Sequence, residues 1–352
     1  MSELSMGRRN FLLGTTAVGA GSLLVACTSN TPAESSNNAN VANNTGANSQ
    51  PGKQVKIGFS APAADHGWIA AITKNAKAQA QRFSGDVTFN ATEGTNDVNQ
   101  QIAQVESLIN SKVDVLVILP HDGKALTAVA QQAMDAGIPV VNLDRIFDTA
   151  LAYRIWIGGD NYRMGVNAGN YIASELKKKN VSNPIIGEVA GIDSLPLTQE
   201  RSKGFRDALG KSGFKVGPYV SAKFTAETGE QVTANLLQGA SKLDALWNHD
   251  DDQGIGVMAA IDSANRKEFI MVGGAGSKNM MDKIKADNSV IKATVLYSPS
   301  MSSTAVALAR LLGQGKGLGD LAEHEIPAQI TTYSAVVTKE NVDSYMDVGF
   351  DS

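Results

Sequence analysis

The sequence predicts an α/β protein of two lobes, each a doubly wound parallel sheet, on three observations. Short β-branched runs alternate with longer segments of helical period along most of the chain. One run, residues 113–119, is almost continuously apolar, as a parallel strand covered on both faces must be. The body of the chain, residues 53–352, is also longer than one hydrophobic core serves well, which calls for two domains.

The first lobe opens with strands expected over 55–60, 87–91, 113–119 and 138–143, separated by helices over 67–83, 97–111 and 123–136. In the second helix Val98, Ile102, Val105 and Leu108 or Ile109 fall on one face, while Gln100, Gln104 and Ser111 face away. The rhythm restarts near Gly159 after a short strand at 155–157. Helices are expected over 162–179, 195–212, 227–238 and 253–264, with another after Ser277. Strands are expected over 184–189, 215–221, 245–247, 269–273 and 291–295. Pro299 opens a helical stretch over 300–312 that ends at Gly313.

The amino-terminal segment has a different task. Gly7-Arg8-Arg9-Asn10 precedes a mild apolar run over 11–26, interrupted by Gly14, Thr15, Thr16, Gly19, Gly21 and Ser22. That is the order of a bacterial export signal, and the run is too short and polar for a membrane span, which needs about 20 mostly apolar residues. The paired arginines resemble a twin-arginine signal, and the general secretory route fits the same segment. Leu24-Val25-Ala26-Cys27 resembles a lipobox, which implies removal of residues 1–26 and lipidation of Cys27 as the new amino terminus. Cys27 is the only cysteine, so no intramolecular disulfide forms.

Residues 27–52 read as a lipidated cysteine and flexible tether: Ser, Asn, Thr, Ala, Gly and Pro with one charge, Glu34. Such a segment reaches roughly 25 to 30 Å. Loss of Glu3, Arg8 and Arg9 with the signal moves the formal charge from −4 to −5, a mild acidity that argues against a nucleic-acid partner.

Several stretches resemble the ribose-binding family of periplasmic sugar-binding proteins across essentially the whole body. Lys56-Ile57-Gly58-Phe59-Ser60 with Gly67-Trp68 resembles its opening strand and ligand loop, and Val140-Val141-Asn142-Leu143-Asp144-Arg145 its strand ending in Asp-Arg. Ile157-Gly158-Gly159-Asp160-Asn161 with Gly165 resembles the first crossing between lobes. Residues Gln199 to Phe205 resemble the helix that holds a ligand arginine, Arg201, and Leu246 to Asp252 the loop with a ligand Asn-Asp pair, Asp250 standing for the asparagine. The resemblance implies a type I periplasmic binding fold, with two lobes joined by a three-crossing hinge. It assigns 53–158 plus 298–326 to the first lobe and 159–297 plus 327–352 to the second.

It also implies a role: the solute-binding component of an ABC importer, closing on a sugar or polyol and delivering it to a permease. The expected ligand residues are His66, Trp68, Asp144, Arg145, Arg201, Asp250 and Tyr297. Independently of the family, a polyol needs charged and amide groups for its hydroxyls and flat aromatic faces for its C–H surfaces. Asp144, Arg145 and Arg201 sit at carboxyl ends of expected strands or on a loop entering a helix, where open α/β sheets place ligands. Two positions depart from the family: Ala275 stands where an aspartate is usual and Tyr297 where glutamine is common, so the pocket is not a ribose pocket by inheritance.

Other classes fit poorly. No nucleophile elbow, His-Glu-x-x-His or Walker loop is present and the four histidines are scattered, so no enzyme is expected and no cofactor is needed. Adjacent Asp250, Asp251 and Asp252 do not converge on one ion, and no metal is expected. A lactose-repressor-type regulator would carry a helix-turn-helix where the signal and tether stand. A sensor docking on a chemoreceptor or histidine kinase remains the alternative to transport. A monomer, held at the membrane only through its lipid, is the simplest expectation for a carrier outside the cytoplasm.

Overall fold

A computed structural model describes residues 51–318 and 325–352; the export signal, the paired arginines and Cys27 lie outside the described residues. Two six-stranded sheets form the body. The first contains β1 (Val55–Ser60), β2 (Val87–Ala91), β3 (Val115–Ile118), β4 (Val140–Leu143) and β5 (Ile155–Gly159), all parallel and in the order β5-β4-β3-β1-β2. Helix α1 (Gly67–Arg82) and, from much later in the chain, α9 (Met301–Gln314) cover one face. They bury Ile69, Ile72, Ala305 and Leu308 against Val55, Ile57, Val115 and Val117. Helices α2 (Val98–Asn110) and α3 (Gly123–Asp135) cover the other, burying Val105, Leu108, Leu126 and Val129 against Leu116 and Ile118. Asp97 and Asp122 cap these two helices by accepting from the amides of Gln100 and Ala125.

The second sheet has β6 (Ile186–Ala190), β7 (Val216–Ser221), β8 (Ala245–Asn248), β9 (Ile270–Ala275) and β10 (Ile291–Leu296), with a short antiparallel edge strand, β12 (Val336–Thr338), on β10. Its helices are α4 (Asn161–Lys178), α5 (Pro196–Lys211), α6 (Ala226–Gly239), α7 (Asp251–Ser263) and α8 (Lys278–Ala286). Helices α4 and α5 pack unusually close through glycine. A Cβ on Gly165 would lie 2.0 Å from the Arg201 carbonyl oxygen, and one on Gly204 would lie 2.0 Å from that of Tyr162. This contact sets the height at which Arg201 leaves α5.

The chain crosses between lobes three times: from β5 into α4, from β10 into α9, and near residue 333. The third crossing corrects the expected boundary at 326. Strand β11 (Gln329–Thr332) pairs in parallel with β5 and belongs to the first sheet, so the return to the second lobe follows Thr332. Helix α9 is tied to the first lobe by a buried ion pair, in which the Arg310 guanidinium donates to both carboxylate oxygens of Asp86 just before β2.

Candidate functional site

The carboxyl ends of both sheets face each other across a cleft, and a tight cavity there, about 30 Å³, is lined by His66, Trp68, Asp144, Arg145, Leu197, Arg201, Phe224, Asp250, Ala275 and Tyr297. All seven residues expected from the sequence meet in it.

The first lobe contributes the β4 end. Asn142, fully buried in that strand, holds the turn that follows by donating to the Arg145 carbonyl and accepting from the Phe147 amide. The turn places Asp144 at φ 63°. Its carbonyl accepts from Trp156 Nε1, and its carboxylate accepts from the Tyr297 hydroxyl at 2.5 Å. Burial raises the Asp144 carboxyl, with the Tyr297 hydrogen bond and the Arg145 and Arg201 cations working against it. Arg145 donates to the His121 carbonyl at 2.7 Å, while its Nε has no partner among the described residues. The loop it reaches is fixed by Gln101, whose amide bridges Ser60, the Leu119 carbonyl and the His121 amide. Trp68, in the first turn of α1, donates from its indole to the Tyr297 carbonyl at 2.9 Å. His66 just before it bonds Asp65 at 2.5 Å. Burial works against its charge, but Asp65, Asp250 and Asp252 together raise its pKa.

The second lobe contributes Arg201, 4 % exposed, whose Nε donates to Asn161 Oδ1 at 2.9 Å and whose Nη1 donates to the His249 carbonyl at 3.2 Å. Its guanidinium lies 4.7 Å from the centre of the Tyr297 ring and 5.9 Å from that of Phe224. The His249 ring is itself held by a buried network. Glu188 accepts from the Ser202 hydroxyl at 2.5 Å and meets His249 Nε2 at 3.0 Å. Burial lowers the His249 pKa despite that carboxylate.

The three aspartates beside it diverge. Asp250 caps α7 by accepting from the amides of Asp252 and Gln253, and burial raises its pKa. Asp251 accepts from the amides of Gly274, Gly276 and Ser277 and from the Thr294 hydroxyl. Asp252 points to the first lobe.

Tyr297 differs from its expected use. Its hydroxyl is already committed, donating to Asp144 and accepting from the Gly159 amide and Asn161 Nδ2 at 3.3 Å each. What it offers the cavity is its ring. The sequence reading missed Phe224, which closes the second-lobe wall and faces His66 with ring centroids 6.5 Å apart. The rule that selected Asp144 would have found it, because Phe224 follows the carboxyl end of β7. Phe224 and Ala275 share positive φ with Asp144, at 65° and 80°. Three residues of one cavity thus hold a left-handed backbone, a conformation that costs about 1–3 kcal/mol each.

A larger recess of about 740 Å³ adjoins the cavity at the hinge and shares Asp144, Arg145 and Leu197 with it. The smaller cavity is the candidate site, because buried charges and aromatic faces from both lobes converge there.

Comparison with known proteins agrees with this geometry. The family model described as "Periplasmic binding protein domain" matches residues 57–317. A D-ribose/D-allose-binding protein of Pseudomonas aeruginosa is 30 % identical over 268 residues, covering 74 % of this chain and 81 % of its own. The crystal structure of an ABC transporter solute-binding protein from Mycobacterium smegmatis with bound glycerol is 25 % identical, with a TM-score of 0.75 over 85 % of this chain and 99 % of its own. The fructose-binding periplasmic domain of a hybrid two-component system is 26 % identical, with a TM-score of 0.73 over 83 % and 93 %. With two parallel α/β lobes, a triple crossing and a family match over most of its body, the chain belongs to the periplasmic binding protein family, in its ribose-type branch.

Proposed function

We propose that the protein is the solute-binding component of an ABC importer, which encloses a sugar or polyol between its lobes and presents it, closed, to a permease. The observation that carries this is the inter-lobe cavity, where two arginines, two aspartates and the rings of Trp68, Phe224 and Tyr297 converge. Charged groups make the stronger hydrogen bonds to hydroxyls, a guanidinium grips two oxygens at once, and the rings cover C–H faces. No step of bond making or breaking is needed. Ligand bridging the lobes favours the closed state by its differential contacts.

His66, Trp68, Asp144, Arg145, Arg201 and Asp250 are the ligand contacts in this reading, with Phe224 and the Tyr297 ring as walls. Ala275 brings no acceptor, so the preferred ligand differs from ribose in how its hydroxyls are placed.

A thermal-shift screen with D-ribose, D-allose, fructose, myo-inositol and glycerol tests this. Ligand at 100 times its dissociation constant adds about 2.7 kcal/mol of stability. Response to one of these supports the reading, and response only to amino acids or ions overturns it. The fructose-binding sensor domain among the relatives favours a second reading, in which the closed form signals. Gene deletion separates the two: loss of uptake of the sugar that shifts the melting point supports import, whereas normal uptake with a lost response supports sensing.

In the same reading residues 1–26 direct export, Cys27 carries the lipid anchor, and residues 27–52 tether a monomer outside the cytoplasm. Cys27→Ser should release the protein from the membrane fraction, and unchanged membrane association would refute the anchor.

A further inference from the structure

Helix α1 starts without the usual acceptors. Its N-cap residue His66 makes no side-chain cap hydrogen bond, and its first turn contains no acidic residue. The first amides of a helix have no partner inside it and must find one elsewhere. Here the partner comes from the other lobe. Asp252, 4 % exposed in the first turn of α7, extends its carboxylate across the cleft, where Oδ2 accepts from the Trp68 amide at 2.8 Å and the Gly67 amide also donates. Asp252 is not needed at its own helix, because Asp250 caps α7, and it does not line the ligand cavity.

Gly67 makes the approach possible. A Cβ there would fall 2.7 Å from Asp252 Oδ1 and 2.5 Å from the Asp351 backbone oxygen of the second lobe. The first contact would have to yield, and the second is with backbone.

We propose that Asp252 is the positioning residue that latches the closed state, capping α1 of the first lobe from the second. The proposal rests on the hinge-closing reading above but needs no particular sugar. Opening the cleft returns the two amides to water and leaves Asp252 facing solvent, so the cap exists only when the lobes meet. The direct contact spans the two lobes without touching the ligand, so it biases the opening equilibrium for any cargo. Burial between the lobes, with Asp250 nearby, pushes the Asp252 carboxyl up to about 7, while the Trp68 amide, the His66 cation and the Gly67 amide pull it down. The cap therefore offsets part of the cost of enclosing this carboxyl.

Hydrogen exchange of full-length wild type, Asp252→Ala, Asp252→Asn and Gly67→Ala tests the proposal, each alone and with millimolar D-ribose, D-allose or myo-inositol. The Trp68 amide should exchange about tenfold more slowly in wild type than in Asp252→Ala, as loss of one buried hydrogen bond implies. Asp252→Asn, which keeps one carbonyl acceptor, should fall between. Gly67→Ala should lose sugar affinity about tenfold, because its Cβ meets Asp252 and Asp351 only when the lobes close. Equal exchange in wild type and Asp252→Ala under every condition overturns the latch, as does wild-type affinity in Gly67→Ala. If none of the three sugars binds, the cargo assignment fails, and the ligand-free exchange of the Trp68 amide still decides: slower in wild type supports the latch, equal overturns it.

Discussion

Replacing Arg201 by alanine tests the site most directly. The guanidinium has five N–H donors; one on Nε goes to Asn161 and one on Nη1 to the His249 carbonyl, which leaves the rest of the fork for the cavity. One charge-assisted bond to a ligand hydroxyl is worth about 1.5–3 kcal/mol. That is a loss of roughly 10- to 150-fold in affinity, since 1.4 kcal/mol is tenfold. The free protein suffers too, because the Asn161 and His249 oxygens lose buried partners at about 1–3 kcal/mol each. Two effects must then be separated, and Arg201→Lys does so: it returns a cation and one donor but not the planar fork. Isothermal titration of both variants with the sugar that stabilises wild type should show weak binding in each, with thermal stability partly restored only in the lysine form. Wild-type affinity in Arg201→Ala at wild-type stability would sink the assignment of Arg201 as a ligand contact.

Two further outcomes are expected. Arg310→Ala leaves the Asp86 carboxylate, 2 % exposed, without its ion partner, and should cost about 3–5 kcal/mol in denaturant unfolding, whereas Arg310→Met with Asp86→Leu should recover most of it; equal stability of single and double variants would show the pair to be incidental. The raised Asp252 carboxyl gives a pH signature with a definite sign: it holds its proton in the folded chain up to about 7, the unfolded chain releases it near 4, and so its stabilisation is complete below the ordinary carboxylate range and lost as pH rises through about 7. Wild type should therefore lose melting temperature relative to Asp252→Asn from pH 5 to pH 8, and a constant difference would refute the shift.

Fold and site were legible in the sequence to different depths, for physical reasons. Parallel strands buried on both faces must be apolar throughout, which made β3 and β4 visible, and the carboxyl end of β4 then pointed to Asp144 and Arg145. Apolar periodicity does not register a buried amide. Gln101 is fully enclosed on α2 because it satisfies polar groups at the ends of β1 and β3, yet it interrupts the apolar stripe. Nor does periodicity register backbone strain, so Phe224 at φ 65° passed unnoticed although it follows a strand end. Strand β11 escaped because only four residues pair at a sheet edge with alternating exposure, too little pattern to separate from a loop. Asp252 looked like one of three equivalent acids, and only the meeting of two lobes distinguishes it.

The charges in the cavity also restrict its cargo. Arg145 and Arg201 face Asp144 and Asp250, and His66 in the wall is paired with Asp65, which lies outside it. Each buried charge needs partners to offset its desolvation, and the closed protein already supplies them in equal numbers of each sign. An anionic ligand would leave Asp144 and Asp250 beside a like charge, and a cationic one would do the same to the arginines. A neutral polyol avoids both, because every hydroxyl donates to a carboxylate or accepts from a guanidinium without adding net charge. The cargo is therefore expected to be an uncharged sugar or cyclitol, with D-allose or myo-inositol stabilising the protein more than their phosphates or carboxylic-acid derivatives. A larger thermal shift from the charged derivative, measured at fixed ionic strength, would overturn this argument while leaving the two-lobed carrier in place.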